Sequence, residues 1–451
     1  MNLRRVLETL RGQGELTVIT KELSPYLETA AVIHALQERP TVFERIRGSR
    51  YPVVAGLCSS REAIATALGV GQDQLMATMT QALQNPASPP LITVAPCQEV
   101  IEPDVDLCSL PVLTHLRGDG SAYITAGVVI VNDPELGRNV AIHRLMALDE
   151  RRLAARLVEQ RGTDSAWHKS SRTLDVAICI GNSTAVLLAA AMSPAPGTDE
   201  MGIAHSLDPT PLVRCRTVDL AVPADCEIVL EGKLGREMVD EGPFLDLTET
   251  MDIVRRQPVI EIQCITHRRD GVYQALLPGG LEHKLLMGLP CEPTIYQAVR
   301  QVCDCVNVQL TPGGGSWLHA LIQIRKRHAD DGLRAAEAAF RGHGSLKHVW
   351  VVDEDIDILD PSQVEWALAT RFQADRSLQV RPNQAGSSLD PSGCHVPGHK
   401  SRTAKMIIDA TIPWLKADGT ERTPQELAAF HKVGYETVDL DKVLPRKVEN
   451  G

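Results

Sequence analysis

Aromatic residues are scarce: five Phe, five Trp and six Tyr make up 4% of the 451 residues. Packing must therefore rest on Leu, Val, Ile and Ala, and a rigid planar wall around a ligand is expected to come from a cofactor. Long apolar runs are also lacking. The longest, Ala185–Met192, is under half of the ~18 residues that a membrane span requires. The first segment carries Leu3, Val6, Leu7 and Leu10 at helical spacing among Arg and Glu, which is a helix face rather than a signal core, so a cytoplasmic protein is expected. Positive charge is in deficit, with 46 Lys and Arg against 57 Asp and Glu and a net charge of −11, which argues against nucleic acid and anionic membrane as partners. The 11 cysteines include no C-x-x-C pair and read as free thiols. No G-x-S-x-G elbow, H-E-x-x-H helix or G-x-G-x-x-G turn occurs, so hydrolases, zinc peptidases and dinucleotide dehydrogenases lose their usual support.

What is present is an ordinary globular balance, 43% hydrophobic and 23% charged, in a chain long enough for two or three domains. The pattern predicts an α/β (α+β) protein with an α/β region over 1–105, a β-rich domain over 106–290 and a second α/β domain over 291–451. In the middle, Tyr123–Val131, Val140–Leu148, Leu174–Ile180, Glu227–Leu234, Val259–Ile265 and Val272–Leu277 read as strands, and Thr184–Met192 reads as a buried helix. Arg381–Ser401, rich in Pro and Gly, reads as a 21-residue loop, a length that suggests a site border. Two patterns fail on inspection. Gly393–Ser401 has a histidine and a proline where a phosphate loop cannot carry them, and Asp353, Asp355 and Asp357 lack the glycine and the bidentate acid of a calcium loop.

Three stretches stand out together: Asn139–Arg144 (NVAIHR), Met192–Glu200 (MSPAPGTDE) and Glu241–Asp246 (EGPFLD). Singly, each reads as turn residues, a solvent-facing loop acid and two loop carboxylates. Together and in this order they resemble the UbiD family of decarboxylases that use prenylated FMN, a likeness that continues through Val222–Gly232 and Ala404–Thr411.

That resemblance implies a central split β-barrel that binds flavin, flanked by the N-terminal α/β region and a C-terminal oligomerisation domain in a homodimer or larger homo-oligomer. It implies that Asn139, Ala141, Ile142, Arg144, Met192, Glu200 and Lys405 bind the cofactor. Asn139, Gln160 and Glu200 would hold Mn²⁺ or Mg²⁺ against its phosphate, with Glu159 as the alternative to Gln160 and K⁺ nearby. Oxygen donors suit such hard cations. The implied reaction is reversible, non-oxidative decarboxylation of a heteroaromatic or α,β-unsaturated acid through a covalent cofactor adduct. Arg144 would orient the carboxylate through its fork, and Asp246 or Glu241 would return the proton. Carboxylates paired around one arginine can divide a proton unequally. At Asp246 some relatives have Glu. Leu277–Pro290 resembles the heteroaromatic branch, with His283 in the pocket and Cys291 where an Arg is expected in dicarboxylate-using members, which points to a monocarboxylate. A flavin prenyltransferase is the implied cofactor supplier. The competing readings are a flavin-binding protein without turnover and a flavin reductase on a similar barrel; Arg144, Glu241 and Asp246 argue against the first.

Overall fold

The computed structural model describes residues 1–396, 399–434, 436 and 438. Pro397 and Gly398 of the Pro/Gly-rich loop, and the end of the third domain, lie outside the described residues.

Strands Thr17–Ile19, Thr41–Phe43 and Val53–Ala55 form a small sheet with the distant strand Tyr273–Gln274, which pairs in parallel with Val53 and Val54. The helix Leu3–Gln13 lays Leu3, Val6, Leu7 and Leu10 against this sheet, as their spacing predicts. In the C-terminal region a five-stranded mixed sheet runs in the order Asp304–Leu310, His319–Arg325, His348–Asp353, Arg402–Asp409, Leu378–Ala385. Helices Glu292–Arg300 and Asp331–Gly342 cover one face, and Pro361–Arg371 contributes to a separate apolar cluster. All 11 cysteines are free. Asp353 and Asp355 serve structure, both bonding the fully buried guanidinium of Arg371.

The central sheet has nine strands, and its connectivity explains its shape. Strand Gly137–Ile142 lies at one end of the hydrogen-bonded order, while Leu145–Ala147 is next to last at the other. Only His143 and Arg144 join them, a link of at most about 10 Å. Likewise Thr125–Gly127 alone separates Tyr123–Ile124 at the far end from Val128–Asp133 beside Gly137–Ile142. The sheet must therefore curl until its ends meet, yet no ladder bonds close it, which leaves an open seam. The two strands expected over Tyr123–Val131 and Val140–Leu148 are thus each broken in two, because the chain changes partners as it crosses this seam. Val272–Leu277 shortens to Tyr273–Gln274, and the first residues of the expected loop, Arg381–Ala385, belong to a strand paired with Arg402–Lys405. The helix Thr184–Ala191 is buried along nearly its whole surface and is capped by Ser183, whose side chain accepts from the Val186 N–H.

Candidate active site

Arg144 stands at the seam, and three carboxylates meet it. Its Nε and Nη2 donate to Glu241 at 2.9 and 3.0 Å, Nη1 donates to Asp246 at 2.7 Å, and Nη2 also donates to Asp252 at 2.9 Å. Glu241 ends the long strand Ile228–Glu241, and a tight turn brings Asp246 back to the same guanidinium. Gly242 in that turn has a φ of 99°, which costs glycine little. Phe244 then pairs with Asp252 in a small hairpin of two-residue strands, which delivers the third carboxylate. The Tyr123 hydroxyl donates to Glu241 at 3.2 Å, and the Phe244 ring lies 4.9 Å from the guanidinium carbon. Burial works against the Arg144 charge, but the three carboxylates outweigh it and raise its pKa. For Asp252, burial is likewise outweighed, by Arg255 and Arg144, and its pKa is lowered. Glu241 is wholly buried, whereas the Asp246 side chain keeps 19% of its surface exposed.

His283 belongs to the same neighbourhood. Its Nδ1 accepts from the Gly279 N–H at 3.0 Å, and burial, with help from Arg144 and Lys284, lowers the ring's pKa against the pull of Asp246. The helix Leu281–Gly288 that carries it is held at its start by Glu38, which accepts from the N–H groups of Leu281 and Glu282. Cys291 lies elsewhere. The short turn Leu289–Cys291 carries it into the C-terminal core beside Ile295 and Val299, where its thiol donates to the Met287 carbonyl.

A second group assembles around Asn139 and Glu200. Glu200 opens the helix Glu200–Leu207, and one of its oxygens accepts from the Val140 N–H at 3.0 Å, which sets it beside Asn139. It is buried and forms no ion pair among the described residues, since Arg138 turns to Asp199; burial pushes its pKa up to about 7. The Asn139 Nδ2 donates to Thr163 Oγ1 at 3.1 Å, and that hydroxyl lies 2.9 Å from Nε2 of the buried His143, whose Nδ1 faces the Arg156 carbonyl. This chain fixes which end of the Asn139 amide faces outward. A Cβ at position 162 would lie 1.8 Å from Asn139 Oδ1, so any larger residue than glycine there would push the amide aside. A buried unpaired carboxylate beside an oriented amide oxygen fits a hard divalent cation. Gln160 is exposed in the turn before the helix Gly162–Lys169, and no side-chain hydrogen bond joins it to Asn139 or Glu200. Ala141 and Ile142 continue the Asn139 strand, while Met192 ends the buried helix as part of the core. Lys405 is 7% exposed, with the Gly344 carbonyl at 2.8 Å and the Phe340 ring at 4.7 Å; burial and Lys400 lower its pKa to about 8. A buried ammonium without a carboxylate suits a phosphate.

Tyr123, His143, Thr163 and Asp252 were not singled out from the sequence. Their spacing to Arg144 or Asn139 is created by the seam and the hairpin, so no local signal marks them.

The family model for the 3-octaprenyl-4-hydroxybenzoate carboxy-lyase matches in three parts: its N-terminal domain over 7–83, its Rift-related domain over 92–281 and its C-terminal domain over 284–410. Anhydromevalonate phosphate decarboxylase of Methanothermobacter thermautotrophicus is 41% identical over 426 residues, covering 90% of this chain and 96% of that protein. The protein of the same name from Methanosarcina mazei is 41% identical over 434 residues, with 94% and 100% covered. Among solved structures, the UbiD-class enzyme HmfF from Pelotomaculum thermopropionicum in complex with FMN superposes with a TM-score of 0.91 at 38% identity, covering 98% of this chain and all of that one. An evolved dimeric form of HmfF, in complex with prenylated FMN, gives a TM-score of 0.86 at 37% identity, covering 98% of this chain and 100% of that one. With its three parts matched in order, its relatives aligned over nine-tenths of its length and a carboxylate-ringed arginine at the seam of its central sheet, this chain belongs to the UbiD family of carboxy-lyases.

Proposed function

We propose that the enzyme uses prenylated FMN to decarboxylate an α,β-unsaturated acid that carries a phosphate. The observation that carries the decarboxylase reading is the Arg144 guanidinium held by Glu241, Asp246 and Asp252 above Phe244. The phosphate is suggested by the name shared by its relatives, since anhydromevalonate phosphate is a branched five-carbon enoate chain bearing one.

When bound, the prenylated flavin supplies the electron sink that no side chain offers. Arg144 binds the substrate carboxylate through its planar fork and turns it toward bond cleavage. As the carbon–carbon bond breaks, CO₂ leaves and one proton must be returned to the carbon. Asp246 delivers it, because it is the most accessible of the three carboxylates facing Arg144, and the wholly buried Glu241 keeps the arginine in place. Tyr123 and Phe244 wall this face and exclude water. Asn139 and Glu200 would hold Mn²⁺ or Mg²⁺ at the cofactor phosphate, with Gln160 as a third ligand and K⁺ nearby, while Lys405 meets the same phosphate from the C-terminal region. A flavin prenyltransferase supplies the cofactor, and the enzyme works as a homodimer or larger assembly in the cytoplasm; no described helix is long and apolar enough to cross a membrane.

A heteroaromatic monocarboxylate is the second reading, favoured by His283, whose ring lies close enough to Arg144 and Asp246 to feel both charges. Assay of the protein, purified after co-expression with a flavin prenyltransferase, decides between them: anhydromevalonate phosphate should be turned over with a higher kcat/KM than furan, pyrrole or indole carboxylates. The reverse order would establish the heteroaromatic reading, and inactivity on every acid would overturn both.

A further inference from the structure

The turn that begins at Asp246 brings carboxylates to two cations, not one. Its Asp246 N–H donates to the Thr250 carbonyl at 3.0 Å and its Glu249 N–H to the Asp246 carbonyl at 2.9 Å, which closes 246–250 into a compact unit ahead of Asp252. The Thr248 and Thr250 hydroxyls lie 2.8 Å apart and tie its tip. This unit packs on the start of the helix Leu281–Gly288: a Cβ built on Gly279 would meet the Asp246 carbonyl oxygen at 3.2 Å and Glu249 Cγ at 3.4 Å. Asp252 thereby reaches Arg144, and Glu249 accepts from the ammonium of Lys284, the residue after His283.

The second pair is poorly matched. The Lys284 side chain is only 13% exposed, whereas Glu249, its one carboxylate partner among the described residues, is 64% exposed. Withdrawing an ammonium from water is costly, and a carboxylate that stays in water returns little because solvent screens the pair. A phosphate, with more charge and more acceptor oxygens, suits this compact cation better. The two cations are also close together. Glu249 and Asp252 are three residues apart, so their Cα atoms lie within about 11 Å of each other, and His283 is near enough to both Lys284 and Arg144 to feel each charge.

We propose that Lys284 forms a second anion subsite, which receives the substrate's phosphate while Arg144 receives its carboxylate, with Glu249 as the placeholder that the phosphate displaces. This deepens the phosphorylated-acid reading and rests on it. The subsite selects for a substrate with an anion at each end, and one short turn supplies the carboxylates that occupy both cations beforehand. The cofactor phosphate is the other anion of the same chemistry that an ammonium can hold.

The test compares wild type, Lys284→Met, Lys284→Arg and Glu249→Gln, each purified with its flavin. It reads kcat and KM for anhydromevalonate phosphate and for the same acid without phosphate, and flavin per chain. Lys284→Met should raise KM for the phosphorylated acid roughly 10- to 100-fold and leave KM for the dephosphorylated acid unchanged, so that the preference between them collapses. Flavin per chain should stay at the wild-type level. Lys284→Arg keeps the charge, should recover part of the preference, and keeps the test decisive if the methionine variant fails to fold. Glu249→Gln should act in the opposite direction, lowering KM for the phosphorylated acid alone by about 3- to 10-fold, which a loss of structure would not produce. A preference retained in Lys284→Met, or a KM that rises equally for both acids, overturns this inference alone. A KM for the phosphorylated acid that Glu249→Gln leaves unchanged or raises shows that this glutamate is no placeholder and overturns it too. Loss of flavin from Lys284→Met, with retention in Lys284→Arg, assigns the lysine to the cofactor phosphate and has the same effect. A wild-type enzyme that ignores the phosphorylated acid overturns both the inference and the function on which it rests.

Discussion

Asp252 Oδ2 lies 2.9 Å from Arg144 Nη2, so a third carboxylate holds the guanidinium edge that a substrate acid needs. Arg255, three residues on, donates to the same aspartate at 2.8 Å and offers it a resting place once displaced. With Arg144 in its proposed role, Asp252 would compete with the substrate for the guanidinium. Asp252→Asn should lower KM for the acid by about 3- to 10-fold, the scale of one charged hydrogen bond partly screened by solvent. Steady-state kinetics read this directly, and an increase in KM with a matching fall in kcat would show instead that Asp252 positions Arg144.

Asp246 and Arg144 should separate binding from chemistry. Asp246→Asn retains an acceptor for Arg144 but cannot give up a proton, so kcat should fall about 10²- to 10⁴-fold with little change in KM. Arg144→Ala should lose both, and it strands the wholly buried Glu241 without its cation. Urea unfolding of that variant should show a loss of about 3 kcal/mol. A fully active Asp246→Asn enzyme would mean that another group returns the proton.

The contrast between Arg144 and Asp252 also shows where a sequence stops being legible. Glu241, Asp246 and Arg144 could be grouped because each sits in a short pattern of fixed spacing, and the structure joins all three. The buried helix at Thr184–Ala191 was legible because it is apolar on every face. Strand breaks at Thr125–Gly127 and His143–Arg144 were not, since strand-forming apolar residues flank both on either side and only the curl of the sheet dictates a change of partner. Asp252 reaches the site through a hairpin, which leaves no periodic trace. The burial of Cys291 was equally hidden: a position counted along the chain does not show the short turn Leu289–Cys291 that carries it into the core.

Cofactor retention should report on Glu200 and Lys405. Glu200→Ala removes the buried carboxylate beside Asn139, and if Glu200 and Asn139 hold a divalent cation at the cofactor phosphate as proposed, metal and flavin should leave together. Lys405→Met should release flavin while leaving Glu200 and Asn139 able to take metal. Metal analysis and flavin absorbance of the purified variants provide the check; full cofactor in Glu200→Ala would remove it from the ligand set.

Stability should carry a signature of Glu282, the residue beside His283. This carboxylate is fully buried and accepts from the N–H groups of Gly56 and Cys58 at 2.8 Å each; burial, with Glu38 nearby, pushes its pKa up to about 7 from an ordinary 4.5. Because the folded value is the higher one, the unfolded chain releases the proton first as pH rises. The stabilisation is complete below about pH 4.5, declines between 4.5 and 7, and is gone above that. The decline is on the order of 3 kcal/mol for a shift of this size. Glu282→Gln cannot ionise, and its amide can serve only one of the two N–H groups. The variant should therefore be less stable at pH 5 yet flatter across the window than wild type. Urea midpoints at pH 5, 6, 7 and 8 measure the slope, and parallel profiles for the two proteins would show that Glu282 does not titrate there.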